Sequence, residues 1–398
     1  MAALDRFIRY VRINTQSDDT TGKTPSTECQ KDLGNLLVQE LLELGLEDAH
    51  MDEWGNVYGH LPGTLGAKIG LNAHMDTALE VSGANVKPCM VKGYSGGTIK
   101  LTNGLEMSTK AFPGLKKHIG HDLVVTDGNT LLGGDDKAGI AIIMNALEFY
   151  HEHPEVSHHT ICVCFTVDEE IGEGPLHFDY EKMGADFAYT FDGSEPEKIE
   201  CENFNAVGLS IHIKGVSIHP GEGKDKLINA AQVASELISL FPQNDNPYHS
   251  ELDQGFWHLC EIKGNPDEAD IDVILRDFYR DKLDERIALI NQAIEEIKNK
   301  YPKIELTHNY KEQYENMKPY VDQKPEVIDR AKKAIELSGY TPELGRIRGG
   351  TDGATMSKFG LVTPNLGTGS YNHHGRFEYL DVYEFDKLIH IAIDIVKI

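Results

Sequence analysis

Basic residues are scarce in this chain: 38 lysines and arginines stand against 64 acidic residues, a formal net charge of −26. A protein that grips a phosphate backbone needs clustered Lys and Arg, so nucleic acid is excluded as a partner, and anionic membrane surfaces with it. Long apolar runs are also missing, since no stretch approaches the roughly 18 to 20 unbroken residues that a membrane span requires. The opening MAALDRFIRYVRINTQ lacks the apolar core and small-residue cleavage site of a secretory signal. The expectation is a soluble, cytoplasmic protein. Only six cysteines occur, at positions 29, 89, 162, 164, 201 and 260, with neither the CxxC spacing of a zinc knuckle nor the density of a secreted scaffold. They read as reduced thiols, with Cys162 and Cys164 of HTICVCFTV as buried strand residues. No GxGxxG opens a helix, so the Gly-rich turns around 93–97 and 133–134 are not a dinucleotide fingerprint. Internal repeats and low-complexity linkers are absent.

What remains is a chain of 398 residues, 40% hydrophobic, enough for two domains or for one with a large insertion. Two amphipathic helices start it, the second from about Thr27 to Leu44, with Gln30 three residues after Thr27 as a capping box and Gly45 as its stop. Strand-like runs NVYGHL and AKIGLNAHMD follow, then an irregular Gly-rich stretch from about 82 to 130. The helical pattern of residues 136–150 leads into HTICVCFTV and FAYTFDG. Strands alternating with helices of this length predict an α/β sandwich whose central sheet is buried on both faces. From about residue 207 the order changes to strand, helix, strand, strand, helix, strand, the ferredoxin-like βαββαβ string. After about residue 316 an α/β pattern resumes. The organisation expected is an α/β domain of residues 1–206 and 317–398, interrupted by a smaller α+β domain at 207–316.

Acids and histidines gather where apolar strands or Gly-rich turns give out. LNAHMDTA offers His74 and Asp76, which share a face at a strand's end. GGDDKAG offers Asp135 and Asp136, TVDEEIGEG offers Asp168, Glu169 and Glu170, TFDGSEP offers Asp192, and GSYNHHGRFEY offers His373 and His374. Ligands of open α/β sheets bind at the carboxyl ends of the strands. Buried carboxylates without a positive partner are costly, and a divalent cation removes that cost. A His-and-carboxylate set without thiolate suits zinc, cobalt or manganese better than calcium. Even two histidines and three carboxylates drawn from these would exceed one tetrahedral zinc. They fit two zincs about 3.5 to 4 Å apart that share a carboxylate and a water.

HMDT, LLGGDDKAG, TVDEE, FDG, HPG, RGGTDGA and YNHHG, in this order from position 74 to 375, resemble the dinuclear zinc aminoacylase and carboxypeptidase family, and most closely its tripeptide-aminopeptidase branch. The resemblance covers essentially the whole chain. It implies a zinc-exopeptidase-like α/β sandwich with the inserted domain as lid, and two zincs per subunit, with cobalt or manganese as substitutes. Carried over position by position, it implies His74, Asp135, Glu170, Asp192 and His374 as metal ligands, with Asp135 bridging. Asp136 and His373 are expected to be bystanders or supports. Glu169 matches the general base, and Asp76 would hydrogen-bond the ring of His74. His219 of IHPG matches the oxyanion donor, Arg276 the residue that grips the substrate carboxylate, with Arg348 as a further candidate because guanidinium holds a carboxylate by two bonds. Asp168 is expected to support the DEE loop.

The activity implied is removal of the N-terminal residue from short peptides, most closely tripeptides, by an activated water that gives its proton to Glu169. An N-acyl-amino-acid hydrolase, or a carboxypeptidase or dipeptidase, would share every metal residue. A non-catalytic peptide-binding protein would be expected to have lost the base or a ligand. The partner is a short peptide, and the chain is either a monomer or a homodimer formed through the lid. Departures from the branch, ALEVSG after HMDT, SEP after FDG and the second histidine of YNHHG, lie beside the ligands and leave them intact.

Overall fold

The computed structural model describes residues 3–398; Met1 and Ala2, with which the first expected domain segment begins, lie outside them. The chain divides into two compact units, one of residues 1–201, 317–346 and 351–398, the other of 202–316 and 347–350. The smaller unit thus takes in a four-residue piece near 350 that the sequence boundaries did not include.

The larger unit is built on an eight-stranded sheet. At its centre the strands His159–Thr166, Leu65–His74 and Phe187–Gly193 run parallel, and Asn365–Gly367 continues the parallel set beside Phe187–Gly193. Val57–Leu61 and Lys198–Asn203 pair antiparallel at the two sides. The central strands read as continuous apolar runs because helices cover both faces. Ile69, Leu71 and Ala73 are fully buried, as are Ile161 to Phe165, so Cys162 and Cys164 are strand-core residues. Among the described residues no cysteine is joined in a disulfide.

The helix Gly134–Glu152 packs on this sheet and is buried along almost its whole length. Its first residues, Asp135 and Asp136, are not helical, and Gly133 ahead of them sits at φ +79°, a conformation open to glycine at little cost. A Cβ on Gly134 would lie 2.1 Å from Ser370 Oγ, so the turn can approach that strand only without a side chain. A separate four-stranded antiparallel sheet includes Leu123–Val125, Ser370–Tyr371 and Tyr379–Asp381.

One local expectation fails. The second helix begins at Gln30, and its N-cap Cys29 makes no side-chain cap. The amide of Gln30 instead donates to Asp168 Oδ1 at 2.6 Å and only grazes Thr27 Oγ1 at 3.4 Å. A buried carboxylate is a stronger acceptor than a hydroxyl, and it draws the side chain away from the capping box. Gly45, at φ +91°, does end the helix.

The smaller unit has strands Asn205–Lys214, Phe256–Gly264, Glu268–Asp277 and Glu305–Tyr314. Their spatial order places the first strand between the fourth and third, all antiparallel, the ferredoxin-like arrangement. Val207, Leu209, Ile211 and Ile213 face a core completed by Val233, Leu237, Ile290 and Ile294 of the helices Ala230–Leu240 and Arg280–Lys300. Asn229 starts the first of these by accepting the N–H groups of Ala231 and Gln232. The other face of the sheet is polar, as the period of two requires. No helix among the described residues is long and apolar enough to cross a membrane.

Candidate metal centre

Three adjacent parallel strands of the larger unit end in chemistry. His74 closes Leu65–His74, Glu169 and Glu170 follow His159–Thr166, and Asp192 lies near the end of Phe187–Gly193. These are the carboxyl ends of the sheet, where α/β proteins place ligands. Asp135 arrives from the start of the helix Gly134–Glu152, and His374 from the loop between Ser370–Tyr371 and Tyr379–Asp381.

Their side chains converge. His74 Nε2 lies 2.8 Å from Asp135 Oδ1 and 3.5 Å from Asp192 Oδ1. His374 Nε2 lies 3.3 Å from Asp135 Oδ2 and 3.0 Å from Glu170 Oε2. Asp135 therefore turns one oxygen to each histidine. His373 also reaches Asp135 Oδ2, with Nδ1 at 3.3 Å; the contact with Glu170 distinguishes His374 from it. His374 and Asn372 both have φ near +60°, a costly conformation for residues with a Cβ. It lets neighbouring histidines face one carboxylate.

The electrostatics are those of crowded acids. Burial, then repulsion from Asp135, pushes Glu170 up to about 7. Burial and repulsion from Asp192 raise Glu169 well above the carboxylate range, and burial raises Asp192 with Asp135 adding to it. Asp135 behaves oppositely: burial opposes its ionisation, but His373, His374 and His74 together hold it well below the usual value. Bonds to Asp135 and Glu170 push His374 up to about 12. Among the described residues no lysine or arginine pairs with Asp135, Glu170 or Asp192. Glu170 Oε1 and His373 Nε2 are buried without hydrogen-bond partners. Donor atoms of His74, Asp135 and Glu170 lie within 4.8 Å of one another, as do those of His74, Asp136 and Asp192. The set of imidazoles and carboxylates without thiolate fits divalent zinc, and is large enough for two ions.

The scaffold around these groups is made of carboxylates that accept backbone N–H. Asp76 takes Glu169 N–H on Oδ1 at 3.0 Å, and Glu170 N–H and Ser17 Oγ–H on Oδ2 at 3.1 and 2.6 Å. Its approach to His74 Nδ1 is 3.3 Å, and that nitrogen makes no hydrogen bond. Asp76 thus orders the loop of Glu169 and Glu170 more firmly than it orders the ring. Asp168, at φ +58°, accepts Ser26 N–H, Ser26 Oγ–H and the Gln30 amide, which ties the same loop to residues 26–30. Asp136 is buried, its Oδ2 accepting His74 N–H at 3.1 Å and its Oδ1 accepting Gly139 N–H.

Two acids were not singled out from the sequence. Glu378 accepts Leu132 N–H and Gly133 N–H on Oε2 at 2.7 and 2.8 Å, and Asp135 N–H on Oε1 at 3.0 Å. It holds the whole turn that presents Asp135. Asp352, of RGGTDGA, accepts Thr166 Oγ–H at 2.6 Å, and burial pushes it up to about 7.

The remaining candidates belong to the smaller unit. His219 is exposed, and its Nδ1 accepts Gly221 N–H at 3.2 Å. In a neutral ring that contact assigns the proton to Nε2. Arg276 stacks on Tyr314 at 5.7 Å, and its Nε is buried without a partner. Arg348 donates to Leu252 O, Gln254 O and Ser250 Oγ at 2.6, 2.9 and 3.1 Å, and lies over Phe204 and Phe256.

The profile of peptidase family M20/M25/M40 matches residues 121–397. Peptidase T of Halothermothrix orenii is 44% identical over 99% of this chain and 98% of its own length. Peptidase T of Clostridium perfringens is 43% identical, over 99% and 98%. In structure, aminopeptidase PepT from Bacillus cereus superposes with a TM-score of 0.77 at 22% identity, covering 99% of this chain and 97% of that one, which speaks for the fold. A profile matched over more than half the chain, relatives above 40% identity along its full length, and acids and imidazoles collected at the strand ends lead to one assignment: the chain belongs to peptidase family M20/M25/M40.

Proposed function

We propose that this protein is a metalloaminopeptidase that removes the N-terminal residue from tripeptides, with two zinc ions per subunit. The observation that carries the reading is Asp135, which offers Oδ1 to the side of His74 and Oδ2 to the side of His374. His74 and Asp192 would hold one ion, Glu170 and His374 the other, and Asp135 both. When bound, the two ions supply Lewis-acid charge that polarises the scissile carbonyl and acidifies the attacking water.

The chain's own residues handle the proton. Glu169 takes it from the water on a carboxylate oxygen and returns it to the amine nitrogen of the leaving dipeptide. Its loop is fixed by the Asp76 and Asp168 bonds, so the base is held before substrate arrives. His219, with its proton on Nε2, donates to the oxyanion. Arg276 binds the peptide's terminal carboxylate and so measures its length. Arg348 already makes three contacts to its own unit, whereas Arg276 makes one long bond, from Nη1 to Arg348 O at 3.5 Å, which favours Arg276 for this role. Six cysteines outside any disulfide suit a reducing compartment such as the cytoplasm.

The test is mass-spectrometric product analysis of zinc-loaded protein given a tripeptide of three different residues and its N-acetylated twin. Release of the first amino acid from the free peptide alone is expected. Cleavage of the acetylated peptide, or loss of the last residue, would move the protein to the aminoacylase or carboxypeptidase side of the family.

A further inference from the structure

A second group of metal-ligating side chains lies in the larger unit, apart from the centre described above. His118 ends the short 3-10 helix Pro113–His118, Asp381 ends the strand Tyr379–Asp381, and Glu384 lies in the first turn of the helix Val382–Lys397. His118 and Asp381 are fully buried, and Glu384 is 8% exposed. One donor atom from each lies within 4.8 Å of the other two.

The arrangement is not an ordinary hydrogen-bonded knot. His118 Nδ1 meets the Tyr379 hydroxyl at 3.1 Å, which fixes the ring. Its Nε2 points at Glu384 Oε1 from 3.4 Å and is buried without any hydrogen-bond partner. A buried ring nitrogen is seldom left unpaired. Tetrahedral zinc with bonds of about 2.0 to 2.1 Å sets neighbouring donors roughly 3.3 to 3.4 Å apart, longer than a hydrogen bond and matching this contact. Among the described residues neither Asp381 nor Glu384 has a lysine or arginine ion-pair partner; Asp381 accepts Glu384 N–H at 3.0 Å and meets His121, and Glu384 meets His118 and the Tyr371 hydroxyl. Two buried acids with imidazole as their only nearby base favour a cation between them.

We propose that His118 Nε2, Asp381 and Glu384 bind a third divalent cation, of which zinc is the best fit. His121 Nδ1, 2.7 Å from Asp381 Oδ2, and Tyr379 orient the ligands from outside, as partners of metal-site histidines and carboxylates do. The cation ties the 113–121 segment to the strand pair whose connecting loop carries His373, His374 and Glu378, and to the last helix. Its task is structural, because the ligands are buried and join three separate segments; the fourth position of a tetrahedral ion would be left to water.

The experiment is zinc stoichiometry by elemental mass spectrometry, on protein stripped with chelator, reloaded with zinc chloride and desalted. Wild type should hold one zinc per chain more than His118→Gln or Glu384→Gln, each checked for native circular dichroism. Equal stoichiometry in the three folded proteins overturns the site. Should those variants not fold, the His74→Ala/His374→Ala chain decides: one zinc retained supports the third site, and none refutes it. The difference between proteins is the readout, so the result stands whether or not any peptide is cleaved.

Discussion

His74 Nε2 lies 2.8 Å from Asp135 Oδ1 in the larger unit, and His212 Nδ1 lies 2.7 Å from Asp270 Oδ1 in the smaller. The side chains of the first pair are 2% and 10% exposed, those of the second 37% and 59%. The first stands at the end of a parallel strand buried on both faces. The second spans two antiparallel neighbours on a sheet's polar face, Asp270 opposite His212 in register. Proximity is the same, and solvation decides what it means. In water the pair is screened and contributes little. Out of water, the same pair joins Asp192, Glu170 and His374 in a group whose ionisations depend on one another.

The sharpest way to test that contrast is to remove the aspartate from each pair. Asp135→Ala takes an oxygen from both proposed ions, so it should lose zinc and, with several kcal/mol of charge stabilisation gone, activity on the order of 10³-fold or more. Chelation of the wild type should do the same, and zinc should restore it. A variant that keeps its zinc and most of its turnover would remove Asp135 from the centre.

Glu169→Gln separates the base from the ligands. It should keep the wild-type zinc content and lose about 10²- to 10⁴-fold in kcat. Zinc loss equal to that of His74→Ala would show Glu169 to be a ligand rather than a base.

A smaller effect is expected at Glu378, which touches no proposed ion yet accepts three N–H groups of the turn carrying Asp135. Outer groups of this kind cost about 10- to 100-fold when altered. Glu378→Gln should lower kcat or zinc affinity within that range at little change in KM, measured by steady-state kinetics across zinc concentrations. A rise in KM alone would assign Glu378 to substrate binding.

Glu378 also marks where sequence reading stopped. The parallel strands were legible because runs such as 161–165 are continuously apolar and 69–73 is interrupted only by Asn72, and the acids and histidines stand where those runs end. The smaller unit was legible from Val207, Leu209, Ile211 and Ile213, whose alternation needs no partner to be read. Glu378 has no such signature: its partners are backbone groups some 245 positions away, and any acid in any loop could have them. Gln30 misled for the same reason, since Asp168, 138 positions distant, outcompetes the local cap. His373 and His374 should alternate sides in an extended chain. The positive φ of His374 brings both to Asp135, and nothing in YNHHG announces it.

The least effect belongs to the exposed pair. Asp270→Asn leaves His212 on a solvated face, where Asp272 and Ser210 already bond one another at 2.7 Å and water replaces what is lost. Exposed ion pairs contribute about 0.2 to 1 kcal/mol, and surface changes away from special features stay within about 0.5 kcal/mol. Chemical denaturation should therefore give a midpoint close to wild type, a difference that shrinks further with added salt, with zinc content and peptide turnover unchanged. A loss of turnover on Asp270→Asn would mean that this face of the smaller unit takes part in the reaction, and that burial is not what separates the two pairs.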